Sequence, residues 1–280
     1  MSVDPEAPQH DSGPRVVLAI LATATLASFL GIGGGVVYVP VLVAMAGVDE
    51  RAARGTSLGL IFGVVTVAFL SAWLWSGVEP RWWIAAVVVP FAILMTHVAA
   101  GWLRHLPLRL LAAVFVGVLL LVSLRLLTSL PPVAAALGLE GVAGGLMPCE
   151  PGLPALVVLA GIGLAVGVIG PLAGIGGGLL LLPLLDLFFV DLDLATVRAT
   201  SLLIVWPTAG MGFRAALRHG VAHADLWRRL VVPAAAGAVL GSWLVDVLPR
   251  DALRGAFGCF LFIVALHRLR TLVRNRQNPG

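Results

Sequence analysis

Lysine is absent from this 280-residue chain; all 18 basic side chains are arginine. Acidic residues number 14, so only 11% of the chain is charged, against about 25% in an ordinary soluble domain. With 60% hydrophobic residues and a mean hydropathy of +1.04, no core of this length hides the apolar surface, and a soluble fold is excluded. Without lysine there is no Walker A motif, and His-Glu-x-x-His and a plausible Gly-x-Ser-x-Gly are also missing. No enzyme chemistry is indicated, and no cofactor. The two cysteines, Cys149 and Cys259, build no disulfide framework. No His or Cys cluster stands at metal-ligand spacing. No basic patch with interleaved aromatics points to nucleic acid.

What the chain has instead is long apolar runs, at 16–46, 56–75, 82–102, 109–129, 156–189, 199–217, 226–248 and 252–269. They are continuous rather than alternating, so they predict helices and not barrel strands. The expected fold is an all-α integral membrane protein of about eight transmembrane helices. The partner solvent is the lipid bilayer. Residues 1–15 lack the basic start of a cleaved signal and read as a disordered tail; 271–280 read as a C-terminal tail. With eight spans and both ends cytoplasmic, Arg15, Arg81, Arg125, Arg214, Arg218, Arg228, Arg229, Arg268, Arg270, Arg274 and Arg276 lie inside. Seven arginines lie outside, a modest positive-inside bias.

The chain also repeats itself. Gly31-Ile32-Gly33-Gly34-Gly35 recurs 143 residues later as Gly174-Ile175-Gly176-Gly177-Gly178. Pro40 and Pro183 follow at equal distance. Arg54-Gly55-Thr56-Ser57-Leu58 and Arg198-Ala199-Thr200-Ser201-Leu202 come next. Trp75-Ser76-Gly77 stands opposite Arg218-His219-Gly220, and Pro90 opposite Pro233. This predicts a first transmembrane repeat over 16–130, a linker over 131–155 and a second repeat over 156–270. Four crossings per half would leave the halves parallel; an odd count would invert them.

Glycine costs about 1 kcal/mol relative to alanine inside a helix, so each cluster predicts a break in the first and fifth segments. Either a broken helix or a span with a re-entrant piece satisfies the lengths. Freed backbone groups in lipid must line a cavity or be buried in protein, and a helix restarting after the break aims N–H groups and a positive dipole end at an anion. Close Gly-xxx-Gly helix packing is the competing reading, but two copies at equivalent places favour a site, the pattern of a transporter whose site lies where the breaks meet. The candidate substrate-binding residues are Gly33, Gly34, Gly35, Thr56, Ser57, Gly176, Gly177, Gly178, Thr200 and Ser201. The hydroxyls also suit helix capping. Arg54 and Arg198 either attract anions into a vestibule or anchor helix ends. His97, Arg125, Asp186, Arg214 and Asp246 are the internal ionisable candidates, with Arg214 the best internal cation. Met147-Pro148-Cys149-Glu150-Pro151 admits a thiol-redox reading, which the lack of a neighbouring cysteine disfavours.

The doubled Gly-Ile-Gly-Gly-Gly-x(4)-Pro break, each followed by a Thr-Ser-Leu helix start, resembles the TauE/SafE sulfite exporter family, also called the toluene sulfonate uptake permease family. The resemblance implies a secondary transporter, an exporter, for a small sulfur-containing anion such as sulfite or an organosulfonate, working by alternating access in a bacterial inner membrane. A passive anion channel is the alternative. Oligomeric state is open, a homo-oligomer being one arrangement.

Overall fold

The computed structural model describes residues 13–102, 108–128, 146–173, 176–189 and 192–277. Among them lie ten helices and no strand: α1 (Pro14–Leu30), α2 (Gly35–Ala46), α3 (Glu50–Leu74), α4 (Trp82–Trp102), α5 (Leu108–Thr128), α6 (Leu153–Ala173), α7 (Gly178–Phe188), α8 (Leu194–Arg218), α9 (Ala224–Val247) and α10 (Arg250–Gln277). The expected all-α class holds. Three described segments are long and apolar enough to cross a membrane: Glu50–Leu74, Leu153–Gly170 and Ala224–Val247. Most of the expected N-terminal tail and of the 131–155 linker lies outside the described residues. Toward the C-terminus α10 continues to Gln277.

Large apolar side chains such as Leu74, Trp75, Leu124, Val232, Trp243 and Ile263 face outward, while Thr23, Ser28, Thr56, Ser57, Arg198, Thr200, Ser201 and Ser242 are buried. An apolar exterior around a partly polar interior is the arrangement lipid demands. Small residues let the backbones touch. Thr25 O and Leu21 O of α1 lie where Cβ atoms on Gly241 and Gly237 of α9 would stand, and Ala92 O and Val88 O of α4 do the same at Gly167 and Gly163 of α6.

These contacts fix direction. Residues rise together along α1 and α9, from Leu21 beside Gly237 to Thr25 beside Gly241, so those helices are parallel. The same holds for α4 and α6, where Val88 meets Gly163 and Ala92 meets Gly167. α3 also runs with α9, with Gly59 on Trp227 and Gly63 on Val231. Against α8 it runs antiparallel: Gly55 meets Ala216, Gly59 meets Phe213, and the Trp206 indole donates to Thr66 Oγ1 at 2.9 Å. So α1, α3 and α9 point one way and α8 the other, and α4 runs with α8, since Arg81 meets Thr200 and Thr96 lies beside Thr208. α4 shares the direction of α6.

α1 and α3 therefore run the same way, yet only Gly47, Val48 and Asp49 separate α2 from α3. Three residues reach about 10 Å, far short of a bilayer core of about 30 Å. α2 must carry the chain back toward the end of the bundle where α1 begins. α6 and α8 run alike, so α7 returns in the same manner. Among the described residues five helices lie before the linker and five after it, and α1 and α6, α3 and α8, and α4 and α9 run in opposite directions.

Candidate functional site

Gly31, Gly33 and Gly34 have φ of 69°, 74° and 83°, and Gly176 and Gly177 have 68° and 83°. This left-handed backbone is what glycine supplies at low cost, and it is why α1 stops at Leu30 and why α7 starts at Gly178. Gly174 and Ile175 lie outside the described residues. The two turns meet. Sites for Cβ atoms on Gly33 and Gly176 both face Ile61 and Val205, and Ile32 O lies 2.6 Å from that of Gly178. Ile61 and Val205 are each the twelfth residue of a 25-residue helix, so the turns sit half-way through the bundle. Val37 N and Tyr38 N already bond to Gly34 O, and Leu180 N and Leu181 N to Gly177 O. The N–H groups of Gly34, Gly35 and Val36, and of Gly177, Gly178 and Leu179, are the first-turn donors with no carbonyl inside their own helix. Two positive helix ends therefore converge at mid-depth, the electrostatics of an anion site.

A route reaches the turns from one side. A cavity of about 560 Å³ opens between α4 and α8, lined by Ile93, Thr96, Thr208, Met211, Gly212, Arg214, Ala215, Arg218 and His219. Below it a constriction of about 20 Å³, lined by Leu58, Ala92, Thr96, Val166, Gly167, Gly170, Gly176, Thr208 and Gly212, ends on the second turn. On the opposite side, at Arg198, Phe29, Leu30, Leu182, Leu194, Leu253 and Phe257 enclose a gap of only about 10 Å³.

Residues 2–126 and 159–280 match the sulfite exporter TauE/SafE family. The chain belongs to it. TauE/SafE is a family of membrane transporters, and the chain is a multi-pass membrane protein. No curated protein and no solved structure matches it.

In this TauE/SafE chain the hydroxyls of the repeated motif divide between two tasks. Thr56 Oγ1 accepts from His223 N at 3.0 Å, and Thr200 Oγ1 accepts from Arg81 N at 2.9 Å while donating to Thr196 O. Each threonine thus holds the residue just before a helix of the other half, α9 or α4, rather than facing a glycine turn. Ser57 Oγ donates to Arg54 O at 2.8 Å. Ser201 is fully buried and its hydroxyl has no partner among the described residues. It lies on the face of α8 that carries Arg198, packed on Gly31, and Val205, packed on Gly33.

The two arginines part company as well. Arg54 pairs with Glu50 at the exposed start of α3. Arg198 is 5% exposed and donates to Ser28 O through Nε and Nη2, at 3.2 and 2.8 Å. It neutralises the carbonyl end of α1. The larger cavity is lined instead by Arg214, Arg218 and His219. Arg214 was legible as an internal cation; the other two were missed, though the mismatch of Arg218-His219 with Trp75-Ser76 in an otherwise matching repeat was a usable signal. Cys149 is half-buried, Cys259 is exposed, and neither forms a disulfide. Asp246, at the end of α9, accepts from Ser76 Oγ. The side chains of His97 and Arg125 lie outside the described residues.

Proposed function

We propose that the chain is a secondary transporter, an exporter, for a small sulfur oxyanion or organosulfonate, built as two inverted repeats that work by alternating access. The convergence of the two glycine turns at mid-depth carries this reading. Weak neutral donors suit a carrier, since the anion is held and then released. Access supports a carrier over a channel: the large cavity leads to the turns from one side through a constriction, and the other side is packed around Arg198. An inverted pair of re-entrant hairpins gives two related packings, open to one side or the other, without remaking the site.

The hairpins also sharpen the orientation. α1, α3 and α5 begin on one side and α4, α8 and α10 end there. That side holds Arg15, Arg51, Arg54, Arg109, Arg214, Arg218, Arg228, Arg229, Arg268, Arg270, Arg274 and Arg276; the other holds Arg81, Arg125, Arg198, Arg250 and Arg254. Twelve against five is a stronger positive-inside bias than the even-span arrangement gives, and it makes the vestibule cytoplasmic and both termini cytoplasmic. The membrane is the bacterial inner membrane. The test is counterflow in proteoliposomes. Sulfite or sulfoacetate loaded inside should accelerate uptake of labelled anion, saturably. Linear, non-saturating flux would establish a channel, and no flux of any sulfur anion would overturn the substrate class.

A further inference from the structure

Three buried side-chain polar atoms lack any hydrogen-bond partner among the described residues: Tyr38 Oη, Ser201 Oγ and Trp227 Nε1. A buried unpaired hydroxyl is costly, and such groups in a native fold call for an explanation. Two of the three border the same glycine turn. Tyr38 is fully buried in α2, one turn beyond Gly34, and its ring reaches back toward the helix start. Its Cε2 and Cζ lie 2.8 and 3.0 Å from where a Cβ on Gly34 would stand. Cζ bears the hydroxyl, so the phenol is aimed at the N-terminal end of α2. Ser201 approaches the turn from α8, between Arg198 on Gly31 and Val205 on Gly33. The second turn is not equipped alike. The residue equivalent to Tyr38 is Leu181, and the equivalent of Ser201 is Ser57, whose hydroxyl is spent on Arg54 O.

We propose that the anion is held asymmetrically: the hydroxyls of Tyr38 and Ser201 donate to its oxygens beside the first glycine turn, and the second turn contributes backbone N–H groups alone. This rests on the transport reading above and names the side chains that make it selective. An SO3 group offers three oxygens spread over one face, which backbone donors on one side and two hydroxyls on others can share. A spherical halide cannot use such divergent donors equally well.

The test uses the full chain in detergent, with Tyr38→Phe and Ser201→Ala, probed with sulfite. Each variant removes one oxygen. The ligand-free melting temperature should stay level or rise, because an unpaired buried hydroxyl is gone. The Kd for sulfite should rise about 5- to 20-fold in each, and the discrimination against chloride should shrink. Tyr38 is the only tyrosine, so 13Cζ-labelled tyrosine gives one NMR signal, which sulfite should shift in wild type and in Ser201→Ala. A lower ligand-free melting temperature with an unchanged sulfite Kd would assign both hydroxyls to packing and overturn the proposal. So would a sulfite-insensitive 13Cζ signal in a protein that binds sulfite; either result leaves the glycine-turn reading standing. Failure of wild type to bind sulfite or sulfoacetate overturns both.

Discussion

Gly176 and Gly34 occupy corresponding turns, but the structure gives an alanine at each a different fate. At Gly176 the backbone has φ +68° and an added methyl meets Ile61 Cγ2 and Cδ1 at 3.2 and 3.3 Å. The backbone strain is about 1–2 kcal/mol, and the Ile61 side-chain ends have only to yield by a few tenths of an ångström. Gly176→Ala should therefore fold, about 1–2 kcal/mol less stable. At Gly34, φ is +83° and the methyl stands 2.6 Å from Ala27 Cβ and 2.8 Å from the Tyr38 ring. Neither neighbour is a flexible end, so overpacking adds about 1–3 kcal/mol. The total for Gly34→Ala is about 2–5 kcal/mol. Melting curves of purified protein measure the order. Labelled-sulfite uptake per folded molecule then measures function. Because Gly176 closes the constriction between vestibule and turns, uptake by Gly176→Ala should fall at least tenfold although the protein is folded. Wild-type uptake in that variant would refute the placement of the site at the turns. Equal stability of the two variants would refute the steric argument.

Neutralising the vestibule with Arg214→Gln and Arg218→Gln should raise KM for anion presented to that side, by about tenfold at low salt, with kcat little changed. The effect should fade above about 0.5 M salt, where the screening length drops to a few ångströms; a salt-independent effect would point to direct coordination instead. Topology is checked by single cysteines at Arg51 and Glu79, both exposed, in a chain with Cys149 and Cys259 replaced by serine. An impermeant maleimide applied to intact cells should label Glu79→Cys and spare Arg51→Cys; the even-span arrangement demands the reverse. Arg198→Met removes two charge-assisted donors from the end of α1 and should cost about 2–3 kcal/mol, whereas Arg54→Met, at an exposed pair, should cost under about 0.5 kcal/mol. Similar losses from both would overturn the distinction between the two arginines.

The breaks were legible because glycine dominates its own local structure: five-residue windows with four glycines admit little else than turns. Direction was not legible. Apolar length counts how much helix there is but not which way it runs, and a 31-residue run serves a broken span or a hairpin equally well. The direction of α1 against α3 follows from contacts at Gly59, Gly63, Gly237 and Gly241, and contact between distant helices leaves no trace in periodicity. The paired Thr-Ser motif shows a second limit. Adjacent helical residues point about 100° apart, so Thr56 and Ser57, or Thr200 and Ser201, cannot share one task. The sequence offers four hydroxyls, and helix packing assigns the threonines to the other half and leaves Ser201 at the turn. The arginines carried a local clue. Glu50 stands four residues before Arg54 and captures it on the surface, while Leu194 stands in that place before Arg198 and offers nothing. Arg198 turns inward to the carbonyl end of α1, where it donates to Ser28 O.

Each departure from the repeat falls on one side of the same divide. Arg218 and His219 stand opposite Trp75 and Ser76, so the cavity on the arginine-rich side is lined by cations. Arg198 is buried where Arg54 is exposed, and the gap around it is only about 10 Å³. Tyr38 replaces Leu181, so only the first turn carries a phenol. A perfectly symmetric carrier would bind equally well from both sides. Charge at one mouth raises the local anion concentration and the capture rate there, while leaving the net direction to the gradients across the membrane. Under the proposed export reading that asymmetry is useful: capture is fast where the anion is dilute and must be collected, and release occurs on the side with fewer arginines, five against twelve. In the proposed mechanism the backbone duplication would supply two interchangeable packings, and the side chains that depart from the duplication would make the two mouths unequal.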